Sequence, residues 1–384
     1  MKKSLLAVAA MTAFAGAAHA QSSVTVYGIL DVGYVGGNEK TGAGVAETAN
    51  KFTASAQSSS RLGFKGTEDL GGGLSAFFTV EMGLTPDSTS ASSFNNRQTF
   101  VGLKKNGLGW AAVGTQYTPI HEAVAATGAN GQNNIVGDMI YPSSSGFGQG
   151  ENASSNTIAY TVRSTNMAKI ATDSFAGFKG KAFYVMDGNN QNQVTKSTVT
   201  TGGTDNTTGW GLGVDYTWKK LLVTANYQSF KNETTSSSSS ISTALSSSPQ
   251  SSTAPNVTDN QQYYAATYDF GILKAYAQYV NRKVTSGIDS TQYATRSAQQ
   301  IGVRSYLTPK IEAWASVGNG RYQAYGANQP TANIAGYQLG SNYWLSKRTN
   351  LYAIFGANGS TSTSSTTNAS YNSNNYAVGV RHTF

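Results

Sequence analysis

The chain has 384 residues and a formal net charge of +8, yet charged residues make up only 12 % of it and cysteine is absent. That charged share is about half the usual one for a soluble protein, and without cysteine there is no disulfide scaffold or thiolate metal site. The basic residues are scattered rather than clustered, which excludes a nucleic-acid footprint; the 22 tyrosines and 42 glycines point instead to membrane strands with aromatic girdles.

Residues 1–20 form a separate object. Lys2 and Lys3 precede an apolar run from Leu5 to Gly16 and then Ala18-His19-Ala20, the order of a cleaved secretory signal. The run is too short for a spanning helix. The mature chain then begins at Gln21, with 384 − 20 = 364 residues and a net charge of +8 − 2 = +6. No composition break divides it, so residues 21–384 read as one domain.

From there the dominant pattern is alternation with period two. Val24, Val26, Leu30, Val32 and Tyr34 open it. In GWGLGVDYTW, Trp210, Leu212, Val214, Tyr216 and Trp218 share one face, and Gly209, Gly211, Gly213, Asp215 and Thr217 share the other. One face suits oil with aromatics at both ends; the other suits water. Leu221 to Tyr227, Tyr264 to Phe270, Leu273 to Tyr279 and Ala335 to Leu345 repeat it. Short turns (67–73, 105–109, 307–310, 345–350) alternate with long polar segments (36–60, 118–155, 187–208, 232–259, 358–373), the plan of an outer-membrane barrel with short periplasmic turns and long outer loops. The reading gives about 16 strands, starting near 23, 60, 73, 96, 109, 155, 178, 209, 220, 261, 271, 297, 310, 334, 350 and 374.

In hydrocarbon each unpaired backbone group costs several kcal/mol, so such a sheet must close on itself. The closing strand is 374–384, with Tyr376, Val378, Val380 and Phe384 on the lipid face and Arg381 toward the lumen. A barrel this large holds an aqueous channel rather than a packed core.

Several stretches together resemble the trimeric general porins of Gram-negative outer membranes, closest to the beta-proteobacterial branch. They are SSVTVYGILDVG (22–33), SRLGFKGTEDLGGGLSAFFTVE (60–81), NRQTFVGL (96–103), GTQYTP (114–119), SNTIAYT (155–161), YQLGSNYWLSKRTNLYA (337–353) and the terminal VGVRHTF. The resemblance implies a 16-stranded antiparallel transmembrane β-barrel whose third long loop, here 118–155, folds into the pore. It implies a homotrimer set among outer-membrane lipid and lipopolysaccharide, passing small hydrophilic solutes and ions without a cofactor. It also makes the terminal segment with Tyr376, Val378, Val380 and Phe384 the signal read by the barrel assembly machinery. At the constriction it sets basic wall residues, matched by Arg61 and Arg97, against the loop with its acids Glu122, Asp138 and Glu151; Glu81 matches an acid near the same point. The family often has arginine where this chain has Thr115 and Ala159; Arg163 partly substitutes for the latter.

Assigning each apolar face to lipid leaves Arg61, Lys65, Arg97, Arg163, Lys179, Lys181, Lys274, Arg282, Arg304 and Arg381 facing the lumen, against Asp31, Glu81, Asp215, Asp269 and Glu312. A cation on the lipid face at mid-membrane costs about 2–4 kcal/mol, which is the physical basis of the assignment. The expected function is therefore a water-filled diffusion pore with modest anion preference. The expected constriction is a basic wall of Arg61, Arg97, Arg163 and Arg304 facing an acidic side of Glu81, Glu122 and Asp138. A substrate-selective channel is the alternative, since such barrels differ in their loops. An outer-membrane enzyme is less favoured: only His121 and His382 follow the signal, and neither has the spacing of a serine–histidine pair. No metal site is expected.

Overall fold

The computed structural model describes residues 23–41, 44, 46–89, 95–142, 163–188, 206–233, 256–287, 289–325, 331–362 and 370–384. These form seventeen strands and one short helix: β1 (Ser23–Thr41), β2 (Ala46–Ala54), β3 (Arg61–Gly71), β4 (Leu74–Gly83), β5 (Asn95–Lys105), β6 (Gly109–Tyr117), α1 (Pro119–Thr127), β7 (Arg163–Thr172), β8 (Phe178–Gly188), β9 (Asn206–Trp218), β10 (Leu221–Glu233), β11 (Val257–Asp269), β12 (Lys274–Ser286), β13 (Tyr293–Thr308), β14 (Ile311–Tyr325), β15 (Thr331–Trp344), β16 (Thr349–Ser362) and β17 (Tyr371–Thr383). No described helix is long and apolar enough to cross a membrane; the strands cross it.

From β3 to β17 each strand pairs antiparallel with the next, and β1 pairs with β17 from Ile29↔Thr383 to Thr41↔Tyr371. The other edge of β1 is shared: Val32–Lys40 pair with β2, and Ser23–Ile29 pair with β3. The two short strands thus occupy one place in the wall, and 17 − 1 = 16 wall positions close the barrel. Closure is completed by Phe384, whose N–H donates to Gly28 O and whose carbonyl accepts from Gly28 N. Its ring lies over Gly28, where a Cβ would collide with it.

Alternation decides which face meets which solvent. Trp210, Leu212 and Val214 point out and are exposed, while Gly209, Gly211 and Gly213 between them are buried. Tyr376, Val378, Val380 and Phe384 are all on the outer face. The tight turns lie at one end of the barrel, as at Gly71–Gly73, where all three φ angles are positive, and at Lys219, with φ 52°.

Two segments differ from the sequence reading. Residues 36–60, expected as a loop, are mostly strand: β1 and β2 run on as a hairpin beyond the lipid-facing part of the wall. Beyond Tyr34 the residues of that hairpin are mostly small or polar, although Val35, Gly37 and Glu39 are buried, so it lacks the apolar alternation by which the other strands are recognised. Between β2 and β3, residues 55–60 bend into the lumen. Ser55 has φ 71°, the Gln57 and Ser58 amides donate to buried Asp31, and Gln57 Nε2 reaches Asn342 on β15. The strand expected to start near 155 begins, among the described residues, at Arg163; the stretch SNTIAYT lies outside them.

The tightest packing sits inside the barrel, under the third long loop. Its described part, 118–142, runs from β6 across the inner wall. Ile120, Ala123, Val124, Met139 and Ile140 bury against Tyr263, Ala265, Val280, Ala298 and Ile334 of β11, β12, β13 and β15. Ile135 packs with Trp314, Tyr352 and Ile354. Glycines make the trough that receives the loop: a Cβ on Gly356 would strike Val136 O, and one on Gly336 would meet Met139 Cε at 2.6 Å. The loop backbone is also tied down: Gln300 Oε1 accepts from Met139 N at 2.8 Å, Arg296 donates to Met139 O at 2.7 Å, and Gln338 exchanges bonds with Asn133. The expected placement of the third loop in the pore is the observed one.

Candidate functional site: an arginine cluster on the open wall

The loop packs on the inner face from β9 to β16 and its helix reaches back to Lys169 on β7 and Lys181 on β8, while its core leaves the face of β3 to β6 open. On that open face, side chains from five neighbouring wall strands converge. Arg61 opens β3, Glu81 lies on β4, Arg97 on β5, Tyr117 ends β6 and Arg163 opens β7. Arg97 Nε donates to Glu81 Oε1 at 2.8 Å and its Nη2 donates to Tyr117 Oη at 2.8 Å. Arg61 Nη1 lies 3.9 Å from the same carboxylate oxygen. Tyr27 on β1 donates to Glu81 Oε2 at 3.1 Å. The Arg163 guanidinium sits 6.0 Å from the Tyr117 ring centre, and the His121 ring stacks on that phenol at 4.0 Å and 6°. Tyr141, at the end of the described loop, joins them: burial pushes its phenol up, while the neighbouring Arg97, Arg163 and Arg61 pull it down. Two guanidiniums, Arg97 and Arg61, share one carboxylate and a third, Arg163, stands beside Tyr117, so the cluster carries 3 − 1 = +2.

Arg97 reaches the lumen by a break in the ladder. Val101 and Leu103 on β5 point outward, and strict alternation from them would carry Arg97 outward too. Glu81 pairs with Gln98 and Met82 with Asn96, so Arg97 is the extra residue of a β-bulge. A bulge re-aims a side chain, and here it turns the arginine onto Glu81.

The other expected site residues lie elsewhere. Glu122, in the first turn of α1, receives Lys169 Nζ at 2.5 Å and Lys181 Nζ at 3.6 Å. The helix starts with Thr118 as its cap and Pro119 in its first turn, and an acid there also suits the positive end of the helix dipole. Lys181 continues to Asp215 at 2.8 Å. This foursome sums to 2 − 2 = 0 and holds the helix to the wall. Asp138 is buried within the loop, where it accepts from the Ile140 and Tyr141 amides and from Asn130. Arg304 on β13 pairs with Glu312 at 3.2 Å and donates to Ala129 O at 2.7 Å, so it anchors the loop rather than joining the arginine cluster. Asp259 and Arg282 form a buried pair at 2.8 Å nearer the outer loops. The described loop acids are thus engaged away from the arginines, Asp138 within the loop and Glu122 with lysines of β7 and β8, and Glu81 lies among the arginines. Glu151 lies outside the described residues.

A family model for Gram-negative porins matches residues 7–363. The chain belongs to that family. An outer membrane porin protein of Bordetella pertussis is 28 % identical, with the whole of both chains covered. Outer membrane porin protein 32 of Delftia acidovorans is 30 % identical over 92 % of this chain and 88 % of its own. Among solved structures, the anion-selective porin from Comamonas acidovorans superposes with a TM-score of 0.71 at 23 % identity, covering 95 % of this chain and 100 % of that one. An outer membrane protein of Vibrio cholerae gives 0.64 at 16 % identity, over 94 % and 98 %. The porin is accordingly a channel protein of the Gram-negative outer membrane.

Sequence reasoning missed several members of this lining. Lys169 has the parity of Arg163, six residues before it, and could have been read with it. Tyr117 and Tyr141 carry no charge to attract notice. Tyr27 was legible, since Val24 and Val26 set the outward parity and leave it facing in.

Proposed function

We propose that this porin is a passive channel for small hydrophilic solutes and ions with a preference for anions, set at the level of Arg61, Arg97 and Arg163. One observation carries the reading: of three clustered cations, Arg61 and Arg97 share a single carboxylate and Arg163 stands beside Tyr117, whereas Glu122, Asp215, Asp259 and Glu312 each have a basic partner of their own. Rings of fixed charge bias which ion enters a pore. Glu81 fixes the arginines in place and cancels one of them. Glu122 and Asp138 brace the loop that narrows the passage, and Arg304 does the same from the wall. The similar fold of the Comamonas porin, which is anion-selective by its title, supports the same sign.

The reading includes a homotrimer in outer-membrane lipid and lipopolysaccharide, a leader at residues 1–20, and a terminal segment through Tyr376, Val378, Val380 and Phe384 that the barrel assembly machinery recognises. The outward position of those four side chains supports the last point. Catalysis has no part in it: His121 is engaged in stacking on Tyr117, and His382 in a contact with Thr349 on the outer surface.

Planar-bilayer recording across a KCl gradient tests it. The expected zero-current potential has the sign of anion preference, with three equal closures per insertion. Replacing Arg61 and Arg97 together by alanine takes the cluster from +2 to 1 − 1 = 0, so the potential moves toward the non-selective value. Cation preference in the unmodified protein would overturn the proposal.

A further inference from the structure

We propose that the open wall carries a second anion site, below the arginine cluster, shaped for a small aromatic carboxylate. It deepens the channel function argued above and rests on anions entering the lumen. The side chains facing in on β1, β3, β4, β5 and β6 are fixed by register: Thr25 is opposite Lys65, Lys65 opposite Thr79, Ser75 opposite Lys104, and Lys104 opposite Trp110. They line a cavity of about 360 Å³ at the short-turn end, within the range of small-ligand sites. Lys65 lies four residues below Arg61 on β3, about 13 Å along the strand.

The lining has two chemistries side by side. Lys65 and Lys104 bring two positive charges, and neither forms an ion pair with a described residue. Asp69, opposite Ser75 at the end of β3, accepts from the turn amide of Gly71. Phe77 brings an aromatic surface, edge-on to Trp110 at 6.0 Å and 87° and to Phe100 at 6.2 Å and 77°. Lys65 stands 5.4 Å from the ring centre of Tyr27, and the hydroxyl of that same tyrosine donates to Glu81, so the two sites share one side chain. Aromatic groups in a porin wall belong on the lipid girdle; these three face the lumen, beside lysines and the hydroxyls of Ser75 and Thr79. A carboxylate held between the lysines would set an attached ring against Phe77 and Trp110. An aliphatic acid would satisfy the charges and leave the aromatic edges unmatched.

The experiment compares benzoate, cyclohexanecarboxylate and acetate, added to both sides of a bilayer holding the intact porin in KCl. Every channel recorded conducts and is therefore folded. Benzoate should reduce the chloride current with a half-saturating concentration roughly three- to ten-fold below that of cyclohexanecarboxylate, the size of an aromatic pair interaction, and acetate should be weaker still. Trp110→Leu, or Phe77→Leu if the first variant does not insert, should bring benzoate level with cyclohexanecarboxylate. Lys65→Gln with Lys104→Gln should weaken both acids. Equal potency of the two ring acids, or a benzoate advantage that survives both aromatic variants, overturns the proposal. The zero-current potential on the same membranes separates the two readings: cation preference defeats the channel function proposed above, whereas anion preference without a benzoate advantage defeats the aromatic site alone.

Discussion

The two halves of the inner wall solve opposite problems. The half from β9 to β16 must hold a loop, and it does so with small and apolar groups: glycines under Val136 and Met139, and a core around Ile120, Val124 and Ile140. The half from β1 to β8 must face moving ions and carries guanidiniums, ammoniums and phenols. Carboxylates occur on both halves but act differently. On the loop side Glu312 and Asp138 neutralise or satisfy structural groups; on the open side Glu81 is outnumbered. A charge count over the whole lumen hides this, because the pairs cancel locally and the excess stays on the open wall, at the arginine cluster and at Lys65 and Lys104.

The sharpest way to break the contrast is to fill the trough. A valine at Gly356 would place side-chain atoms where Val136 O lies, with Ile135 Cγ2 also within 3.3 Å of its Cβ. Overpacking of this kind costs about 1–3 kcal/mol, and here the strain is relieved by lifting the loop. The expected result is the largest of any substitution considered: single-channel conductance rises, and the zero-current potential weakens because the arginines no longer border a narrow passage. Unchanged conductance would mean that the loop does not set the pore width.

A smaller effect, on stability rather than conduction, is expected at the buried pair. Asp259→Ala leaves Arg282, only 1 % exposed, without the carboxylate that accepts from its Nε and Nη2. Stranding one partner of a buried pair costs about 3–5 kcal/mol. The unfolding midpoint in denaturant should fall clearly, while the zero-current potential moves much less than in the Arg61 and Arg97 variant. Equal shifts in the potential would show that selectivity is spread along the lumen.

The same contrast explains what could be read from the sequence. Strands such as Trp210–Trp218 stand between oil and water, so their alternation is written in residue type, and both the architecture and Arg61 follow from it. Where apolar and polar residues do not alternate, as in β1 and β2 beyond Tyr34, residue type carries no such record and a hairpin looks like a loop. Arg97 defeats alternation, because a bulge is a backbone event that residue type does not announce; its assignment to the lumen by parity therefore reached the right face without a sound reason, and the family resemblance of NRQTFVGL is what locates it. The course of the loop depends on contacts between residues some two hundred positions apart, such as Asn133 with Gln338, and its trace in the sequence is limited to glycines spaced along separate strands. The pairing of Glu122 with Lys169 and Lys181 was hidden for the same reason, since three elements have to meet before that acid is neutralised.

The smallest expected effect lies outside both halves, at Asp87 on the segment after β4. Partial burial pushes its carboxyl up, but hydrogen bonds from Thr53 Oγ1 and the Ala54 amide outweigh this and hold it below the ordinary carboxylate range. A depressed value means that the folded state prefers the charged form. Its contribution is complete above the unfolded value of about 4 and fades as pH falls below it. Asp87→Asn should therefore loosen the 84–89 segment from β2 at neutral pH, seen as faster amide exchange at Ala54, and should make no difference once the pH is low enough to protonate the carboxyl in the folded state. Ion preference should stay the same, because the contact lies on the hairpin and not on the wall that bears the arginines. A shift in the zero-current potential with Asp87→Asn would instead place this segment in the path of the ions and redraw the boundary between the structural and conducting parts of the molecule.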